Sequence, residues 1–177
     1  MIFTIGHSTR TVEEFVRILQ AFEIELDVDI RAVPRSRRNP QFEGDALRKT
    51  LEENRIEYVH ARALGGLRPA KKDSINTGWK NASFRGFADY MQTQEFAEAL
   101  DWLIAAAAKK TAVIMCAEAV PWRCHRSLVG DALLARGVEV IDILSATNSK
   151  EHKLTAWARV DGRQVTYPEA REPRDKV

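Results

Sequence analysis

The sequence predicts an α/β fold: a single-domain three-layer sandwich in which helices cover both faces of a mainly parallel five-stranded sheet, with a small C-terminal β-hairpin. Two observations predict this class. Five short apolar runs of strand length alternate with segments whose apolar residues recur at helical spacing. Some of these runs, such as residues 111–115, are apolar almost throughout, which is typical of parallel strands buried on both faces.

The N-terminal part of the chain predicts strand, helix and strand. Residues 2–5 form the first strand, which ends at Gly6. Thr11 and Glu14 then match a capping box, in which a hydroxyl and a carboxylate satisfy free amides at a helix start. Apolar residues at helical spacing follow, and residues 26–33 form the second strand.

The middle of the chain is less regular. Leu47 and Leu51 mark a modest helix, and residues 56–59 form a short third strand. Residues 67–83 show no periodicity and contain proline, glycine and several lysines, which predicts a long loop. Helical spacing returns between residues 84 and 108.

The C-terminal part completes the alternation. Residues 111–115 are the most convincing buried strand, and a helix follows near residues 124–136, with Gly137 as its stop. The last strand of the sheet is residues 138–144. An Asp-Gly pair at residues 161–162, between two short strand-like segments, predicts the hairpin.

Length and composition are those of a globular protein. The 177 residues suit one domain, with 45% hydrophobic and 29% charged residues. We assign residues 1–168 to this domain and expect the charged tail, residues 169–177, to be disordered. The net charge of +2 does not by itself indicate nucleic-acid binding.

Neither a membrane segment nor a secretory signal is evident. No stretch approaches the roughly 20 apolar residues that cross a bilayer, and the N-terminus enters a strand directly. We therefore expect a cytoplasmic protein with no membrane partner. The two cysteines are too few for a disulfide framework and are expected to be reduced.

Unusual polar residues follow each of the first four predicted strands. These are Gly6-His7-Ser8, then Asp29 and Arg31, then Gly65-Gly66, then Cys116 and Glu118. In a parallel sheet the carboxyl ends of the strands share one edge, where ligands bind. We therefore expect these residues to form one site.

The strongest signal is a cluster of reactive side chains within eleven residues. Cys124 lies at or near a helix start, where the helix dipole and free amides favour a thiolate. Packing alone seldom places two thiols, a carboxylate, an imidazole and two guanidinium groups together. The candidate catalytic residues are Cys116, Glu118, Cys124, His125, His7 and Asp29.

Three chemistries fit this cluster. Cys116 or Cys124 could be a nucleophile, with His125 or His7 as its base. Cys116, Cys124 and His125 could instead bind zinc and leave a fourth position for water, or the two thiols could form a regulatory disulfide. Six residues separate Cys116 from Arg123, whereas the cysteine phosphatase loop requires five, so phosphoryl transfer to a cysteine is disfavoured. The sequence identifies no particular cofactor.

A run of arginines predicts an anion-binding loop. From Arg31 to Arg38 no acidic residue occurs, and the next one is Glu43. Arginine forks bind phosphate or carboxylate in a bidentate manner. The alternatives are a buried ion pair for Asp29 and Arg31, and a solvated loop for the other arginines. The candidate anion-binding residues are Gly6, Ser8, Arg31, Arg35, Arg37, Arg38 and Arg126.

These motifs, taken in order, resemble a bacterial and archaeal family called domain of unknown function 488. The resemblance rests on Gly6-His7-Ser8, Asp29-Ile30-Arg31, Leu64-Gly65-Gly66, Met115-Cys116-Ala117-Glu118 and Cys124-His125-Arg126, and extends over roughly residues 1–168. It implies a small α/β domain and an enzyme site, without an established reaction.

The sequence therefore leads us to expect an enzyme that acts on a phosphate-bearing substrate, either a nucleotide or a nucleic acid. The arginine-rich loop would hold the anion, and the Cys/Glu/His site would perform the chemistry. A non-catalytic nucleotide- or nucleic-acid-binding module is one alternative. A thiol redox or metal-binding protein is the other.

Overall fold

A computed structural model describes residues 1–169, and residues 170–177 of the predicted tail lie outside the described residues. Its helices are α1 (Val12–Ala21), α2 (Gly44–Glu53), α3 (Ala82–Tyr90), α4 (Gln94–Ala107) and α5 (Arg126–Leu134). Its strands are β1 (Ile2–Gly6), β2 (Leu26–Asp29), β3 (Glu57–His60), β4 (Ala112–Cys116), β5 (Val140–Ser145), β6 (Asn148–Glu151), β7 (Arg159–Asp161) and β8 (Gln164–Thr166).

The central sheet has six strands in the order β3-β2-β4-β1-β5-β6. The first five run parallel, and β6 pairs antiparallel with β5. The predicted α/β class is confirmed, but the predicted five strands are wrong: the sheet is mixed and has six. All four residues of β6 are exposed, so this strand has no apolar pattern by which sequence periodicity could reveal it.

Helices pack on both faces of the sheet because the strand side chains alternate between the faces. On one face, α1 and α2 cover a core that includes Phe15, Leu47, Ile5 and Met115. On the other face, α3, α4 and α5 cover a core that includes Phe96, Leu128, Val28 and Ile114. None of the helices in the described part of the chain has both the length and the apolar character required to cross a membrane.

Local chemistry determines where two of these elements begin and end. Helix α1 begins after Thr11, whose hydroxyl oxygen accepts a hydrogen bond from the backbone amide of Glu14 at 3.1 Å, as the capping pattern predicts. Strand β2 ends at Asp29, earlier than the predicted position 33. The Asp29 carboxylate accepts the backbone amide of Arg31 at 3.0 Å, and this turn removes that amide from the sheet.

The small hairpin lies where the Asp-Gly pair predicts it. Strands β7 and β8 pair antiparallel, with Asp161 opposite Gln164. Gly162 in the turn has φ of +60°, a left-handed conformation that glycine adopts without strain.

Strand β4 lies between β1 and β2, and this arrangement positions the site. Helix α1 leaves β1 on one face of the sheet, whereas α5 follows β4 on the other. Neighbouring strands whose helices leave on opposite faces form a crevice at their carboxyl ends, where α/β proteins bind ligands.

Candidate functional site

The segment after β4 is held at the carboxyl edge by the segment after β1. The backbone amides of His7 and Ser8 donate to the carbonyls of Cys116 and Ala117, at 2.8 and 2.9 Å. Gly6 leaves room for the backbone of Glu118 to pass directly over it. The backbone amide of Ser8, which was predicted to bind an anion, is thus engaged within the protein.

Two thiols and an imidazole meet at this edge. The Sγ atoms of Cys116 and Cys124 and a ring nitrogen of His125 all lie within 4.8 Å of one another. Sγ of Cys124 is 3.8 Å from Nδ1 of His125. Both cysteines are free and nearly buried, at 9% and 5% exposure. The structure therefore brings together the three residues that the sequence analysis named as possible zinc ligands.

The imidazole of His125 has a fixed orientation. Its Nε2 lies 3.1 Å from the carbonyl oxygen of Ile30 and 3.2 Å from that of Leu64. Both partners only accept hydrogen bonds, so Nε2 carries a proton and donates it. Nδ1 is then the atom that exchanges a proton with the Cys124 thiol. Gly66 lies against this side of the ring, where a β-carbon would be 3.1 Å from Nδ1.

The two thiols differ in acidity. The hydrogen bond from Cys116 has the largest effect on the pKa of Cys124, and the hydrogen bond from His125 has a smaller one. Together they outweigh burial and lower this pKa to about 4. The positive charge of Arg126 acts in the same direction. The hydrogen bond to Cys124, together with burial, raises the pKa of Cys116 well above its usual value. Cys124 is therefore the thiolate at neutral pH, and Cys116 remains a thiol that donates to it.

The thiols open into a pocket of about 360 Å³, which we call the thiol pocket. Its lining includes Cys116, Cys124, His125, Arg31, Arg35, Arg123, Glu118, Ser83 and Phe84. Arg35 and Arg123 are exposed, and within residues 1–169 neither forms an ion pair. A small anionic ligand would therefore meet a thiolate and unpaired guanidinium groups in the same pocket.

Two further predicted arginines lie in a neighbouring cavity of about 500 Å³, which we call the arginine pocket. Arg37 and Arg38 line it together with His7 and Ser8. Ala117 and Glu118 line both pockets, so this dipeptide separates them. The exposed Glu118 accepts a hydrogen bond from the backbone amide of Val120 at 3.2 Å. The residues predicted to share one cleft are thus divided between two adjacent pockets.

Asp29 and Arg31 form a buried ion pair, which was the alternative interpretation of this motif. The Arg31 guanidinium contacts the Asp29 carboxylate at 2.6 and 2.9 Å. Tyr58 donates its hydroxyl proton to the same carboxylate at 2.6 Å. Asp29 is fully buried, so its oxygens are occupied by these partners. The geometry gives Asp29 the role of holding Arg31 at the pocket wall.

His7 is also held by internal partners. Its Nδ1 donates to the carbonyl of Ser8 at 2.8 Å, and its Nε2 faces the Arg31 guanidinium at 3.4 Å. The ring stacks on Phe42, with 4.2 Å between the ring centres. Burial, aided by the charge of Arg31, lowers the pKa of His7 to about 4. His7 is therefore neutral at pH 7 and lies in the wall of the arginine pocket.

Arg126 lies beneath the segment after β4. Its side chain is fully buried, and its guanidinium donates to the carbonyls of Glu118 and Ala119, the latter at 2.9 Å. Arg126 was predicted to bind an anion, but its guanidinium instead contacts backbone carbonyls. Arg126 fixes the course of the segment that separates the two pockets.

Sequence reasoning missed several residues of the site. Tyr58 has no motif, because its contact with Asp29 joins neighbouring strands across the sheet. Ile30 and Leu64 act through main-chain carbonyls, which every residue type possesses. Ser83 and Phe84 reach the pocket from the start of α3. For Phe84, an aromatic side chain next to an irregular loop was the only available signal.

The cysteine cluster has the composition of a metal site with an open position. Two thiolates and one imidazole are a zinc ligand set that leaves room for water or substrate. The hydrogen bonds from Nε2 of His125 to backbone carbonyls are the contacts that orient metal-binding histidines. The three side chains therefore fit a zinc ion through Sγ, Sγ and Nδ1.

Comparison with known proteins gives a family and no more. No curated protein and no solved structure matches the chain. The family model described as "Domain of unknown function DUF488" matches residues 11–133. This range covers most of the chain and includes the cysteine cluster and the arginine run, but not residues 6–8. The chain belongs to the family of the domain of unknown function DUF488.

Proposed function

We propose that this protein is a thiol enzyme that acts on a phosphate-bearing substrate, with Cys124 as its nucleophile. The observation that carries the proposal is the Cys124–His125 pair. The imidazole is anchored at Nε2 by two carbonyls and presents Nδ1 to the thiol at 3.8 Å. A nucleophile, a base and a group that orients the base are the elements of nucleophilic catalysis, and here backbone carbonyls orient the base.

The same geometry supports a two-step reaction. In the first step, Sγ of Cys124 attacks an electrophilic centre of the bound substrate, and the bond to the leaving group breaks. The proton that Nδ1 of His125 has taken from the Cys124 thiol passes to the leaving group. In the second step, His125 takes a proton from water, and the resulting hydroxide displaces the thiolate. This step returns Cys124 as the thiolate and a proton to Nδ1 of His125.

The charges around the pocket support an anionic substrate. The charge of Arg31 is balanced by Asp29, whereas Arg35 and Arg123 have no acidic partner within residues 1–169. Arg37 and Arg38 line the adjacent arginine pocket and are likewise unpaired in the described residues. Glu118 is the one acidic side chain among the residues that line the two pockets. Phosphate, like carboxylate, is an anion that arginine forks bind in a bidentate manner.

The pH dependence of thiol alkylation tests the proposal. Iodoacetamide modification of Cys124, located by peptide mass spectrometry, is expected to be nearly constant from pH 5.5 to 8, as for a thiol already ionised. An ordinary thiol gains about tenfold per pH unit over this range. Cys116 provides the internal control and should react slowly. His125→Asn should shift the pH dependence of Cys124 alkylation towards that of an ordinary thiol, because the hydrogen bond and charge of His125 are two of the causes of the lowered pKa.

A phosphate-bearing ligand should also protect the thiol. Inorganic pyrophosphate is expected to slow alkylation of Cys124, and less so as the salt concentration rises. Alkylation of Cys124 that follows the profile of an ordinary thiol would contradict its role as nucleophile. Alkylation that pyrophosphate leaves unchanged would contradict the substrate class.

A metal-dependent function is the second candidate, and the observation that favours it is the ligand set itself. Cys116, Cys124 and His125 present three zinc-binding atoms within 4.8 Å. A bound zinc ion would supply Lewis acidity and an activated water at its open position. Elemental analysis of the purified protein should then give one zinc per chain, and less in Cys116→Ser. Metal-free protein with full alkylation of Cys124 favours the thiol enzyme.

A further inference from the structure

A third cavity, of about 440 Å³, adjoins the segment after β4, and we call it the tryptophan pocket. Trp79, Trp122 and Trp157 line it, together with Lys150 and Lys153. Neither catalytic nor anion-binding residues of the proposed function belong to its lining. Three indoles around one cavity, with two cations, require an explanation beyond core packing.

One wall of this pocket is a preformed aromatic surface. Trp79 stacks on Phe84, with 4.7 Å between ring centres, and meets the edge of Trp157 at 4.9 Å. Tyr167 packs against Trp79 from another direction at 5.6 Å. These contacts hold the indoles in place, so a planar ligand could stack on them with little loss of side-chain freedom.

Trp122 is exposed in a way that folding alone does not favour. It remains 67% exposed, and among residues 1–169 no other aromatic ring stacks on it. Trp157 is also 42% exposed. Exposed large aromatic side chains around a concave surface mark binding sites.

The charges at this pocket suit a polyanion. Lys150 and Lys153 are exposed and have no acidic partner within 4 Å among residues 1–169. Asp142 also lines the pocket, but it is bound by Thr4 and His152. Glu151 is the remaining acidic residue, so the cations outnumber the free carboxylates.

Neighbouring residues of one segment connect this pocket with the proposed active site. Trp122 lines the tryptophan pocket, and the next residue, Arg123, lines the thiol pocket. A ligand with a base against Trp122 can therefore place a phosphate near Arg123, because base and phosphate are adjacent within a nucleotide. Aromatic stacking beside phosphate-binding cations is how proteins bind single-stranded nucleic acids.

We propose that the tryptophan pocket binds an unpaired base of single-stranded nucleic acid. The phosphates of this strand extend along Arg123 towards the arginine loop, which comprises residues 35–38. This inference rests on the proposed function and names its substrate class. Base stacking on Trp122 and Trp157 provides affinity without strong sequence preference. Arg123 and the two lysines contact the backbone.

Fluorescence anisotropy with a labelled 12-nucleotide oligothymidylate tests the inference. We expect binding that weakens as salt rises. Trp122→Ala should weaken it by about 5-fold to 100-fold, the effect of losing one base–aromatic stacking contact. The matched control is Trp102→Ala on α4, because Trp102 is also exposed, at 43%. Trp102 lies beside Leu26, the first residue of β2, whereas the proposed site lies at the carboxyl ends of the strands. This control should bind like the unmodified protein.

Competition experiments then distinguish ligand classes. A 12-base-pair duplex and thymidine monophosphate should each compete at least tenfold less well than the single strand, because one lacks free bases and the other lacks a continuous backbone. Equal competition by either overturns the inference, as does equal loss of affinity in Trp122→Ala and Trp102→Ala. Alkylation of Cys124 is measured without nucleic acid, so failure of the proposed function is detected separately.

Discussion

A β-carbon placed on Gly6 would lie 1.9 Å from the carbonyl oxygen of Glu118. The end of β1 therefore tolerates only glycine while the segment after β4 follows its present course. Because this segment separates the thiol pocket from the arginine pocket, the close approach of the two backbones determines the shape of both.

Gly6→Ala is accordingly expected to destabilise the protein by about 3 kcal/mol or more, since a backbone atom must move to relieve the clash. Chemical denaturation measures this change in the free energy of unfolding. Gly44→Ala is the control, because a β-carbon there would lie 3.2 Å from the Pro34 side chain, and it should cost much less. Equal effects of the two substitutions would argue against the described course of the segment.

Arg35→Ala should weaken anion binding without affecting stability. Arg35 is exposed at the thiol pocket, so its removal should reduce the protection of Cys124 by pyrophosphate by about tenfold, which corresponds to one charge-assisted hydrogen bond. Arg48→Ala serves as control, since Arg48 lies on α2 over the ring of Tyr58. The melting temperature should change little in Arg35→Ala. If both variants lose protection equally, the arginine loop is a solvated surface.

Asp27→Asn should stabilise the protein above pH 4. Asp27 is fully buried, and neither carboxylate oxygen has a hydrogen-bond partner in the described part of the chain. Burial, and then the charge of Asp29, raises the pKa of Asp27 well above its usual value. The unfolded chain releases this proton above pH 4 while the folded chain retains it. Stability is therefore present at low pH and lost as the pH rises towards the folded pKa.

Urea denaturation between pH 4 and pH 8 measures this effect. The advantage of Asp27→Asn over the unmodified protein should grow by up to about 1.4 kcal/mol per pH unit, the slope for one proton. Asp29→Asn, two residues along the same strand, is the contrasting variant. It loses the ion pair with Arg31 and one of the two oxygens that accept from Arg31 and Tyr58, and should be destabilised. A constant difference between Asp27→Asn and the unmodified protein would mean that Asp27 is ionised when folded.

His152 should stabilise the fold at neutral pH and lose this effect in alkaline solution. It is nearly buried and bonds Asp142 through Nδ1 at 3.2 Å and Asp131 through Nε2 at 3.0 Å. Burial lowers the pKa of His152, but the bonds to Asp131 and Asp142 outweigh it and raise the pKa to about 9. The raised pKa means that this stability is complete below pH 6.5 and is lost as the pH rises through 9.

The pKa of His152 is 6.5 in the unfolded chain and about 9 in the folded protein, a difference equivalent to about 3 kcal/mol. His152→Gln cannot titrate, so the stability difference between it and the unmodified protein should shrink by about this amount between pH 6 and pH 10. Unfolding in urea at both pH values measures the difference. A difference that does not change with pH would show that His152 is neutral in the folded protein.

Local signals explain which elements the sequence predicts. Apolar runs and helical spacing are properties of short segments. The sequence therefore predicts the alternation of strands and helices, and with it the polar clusters at the strand ends. The sequence does not predict strand β6, because all four of its residues are exposed and show no apolar pattern. The predicted end of β2 was wrong because the Asp29 side chain accepts the backbone amide of Arg31, a contact that the apolar pattern does not reveal.

The roles of individual site residues depend on partners distant in sequence. The structural role of Asp29 depends on its hydrogen bond from Tyr58. The structural role of His7 depends on its contacts with Phe42 and Arg31. Arg126 differs from a surface arginine only because two carbonyls of the segment after β4 face it. A sequence motif names the side chains that meet at an edge, but not which of them satisfy one another.

The position of β4 has a consequence for synthesis of the chain. Strands β1 and β2 are consecutive in sequence but do not pair, since β4 lies between them and bonds both. When residues 1–100 have been made, β1 and β2 are therefore present, and the edges with which they face each other await residues 112–116. Unpaired strand edges of this kind associate with other chains. The nascent protein therefore carries these facing, unpaired edges until β4, and with it Cys116, leaves the ribosome.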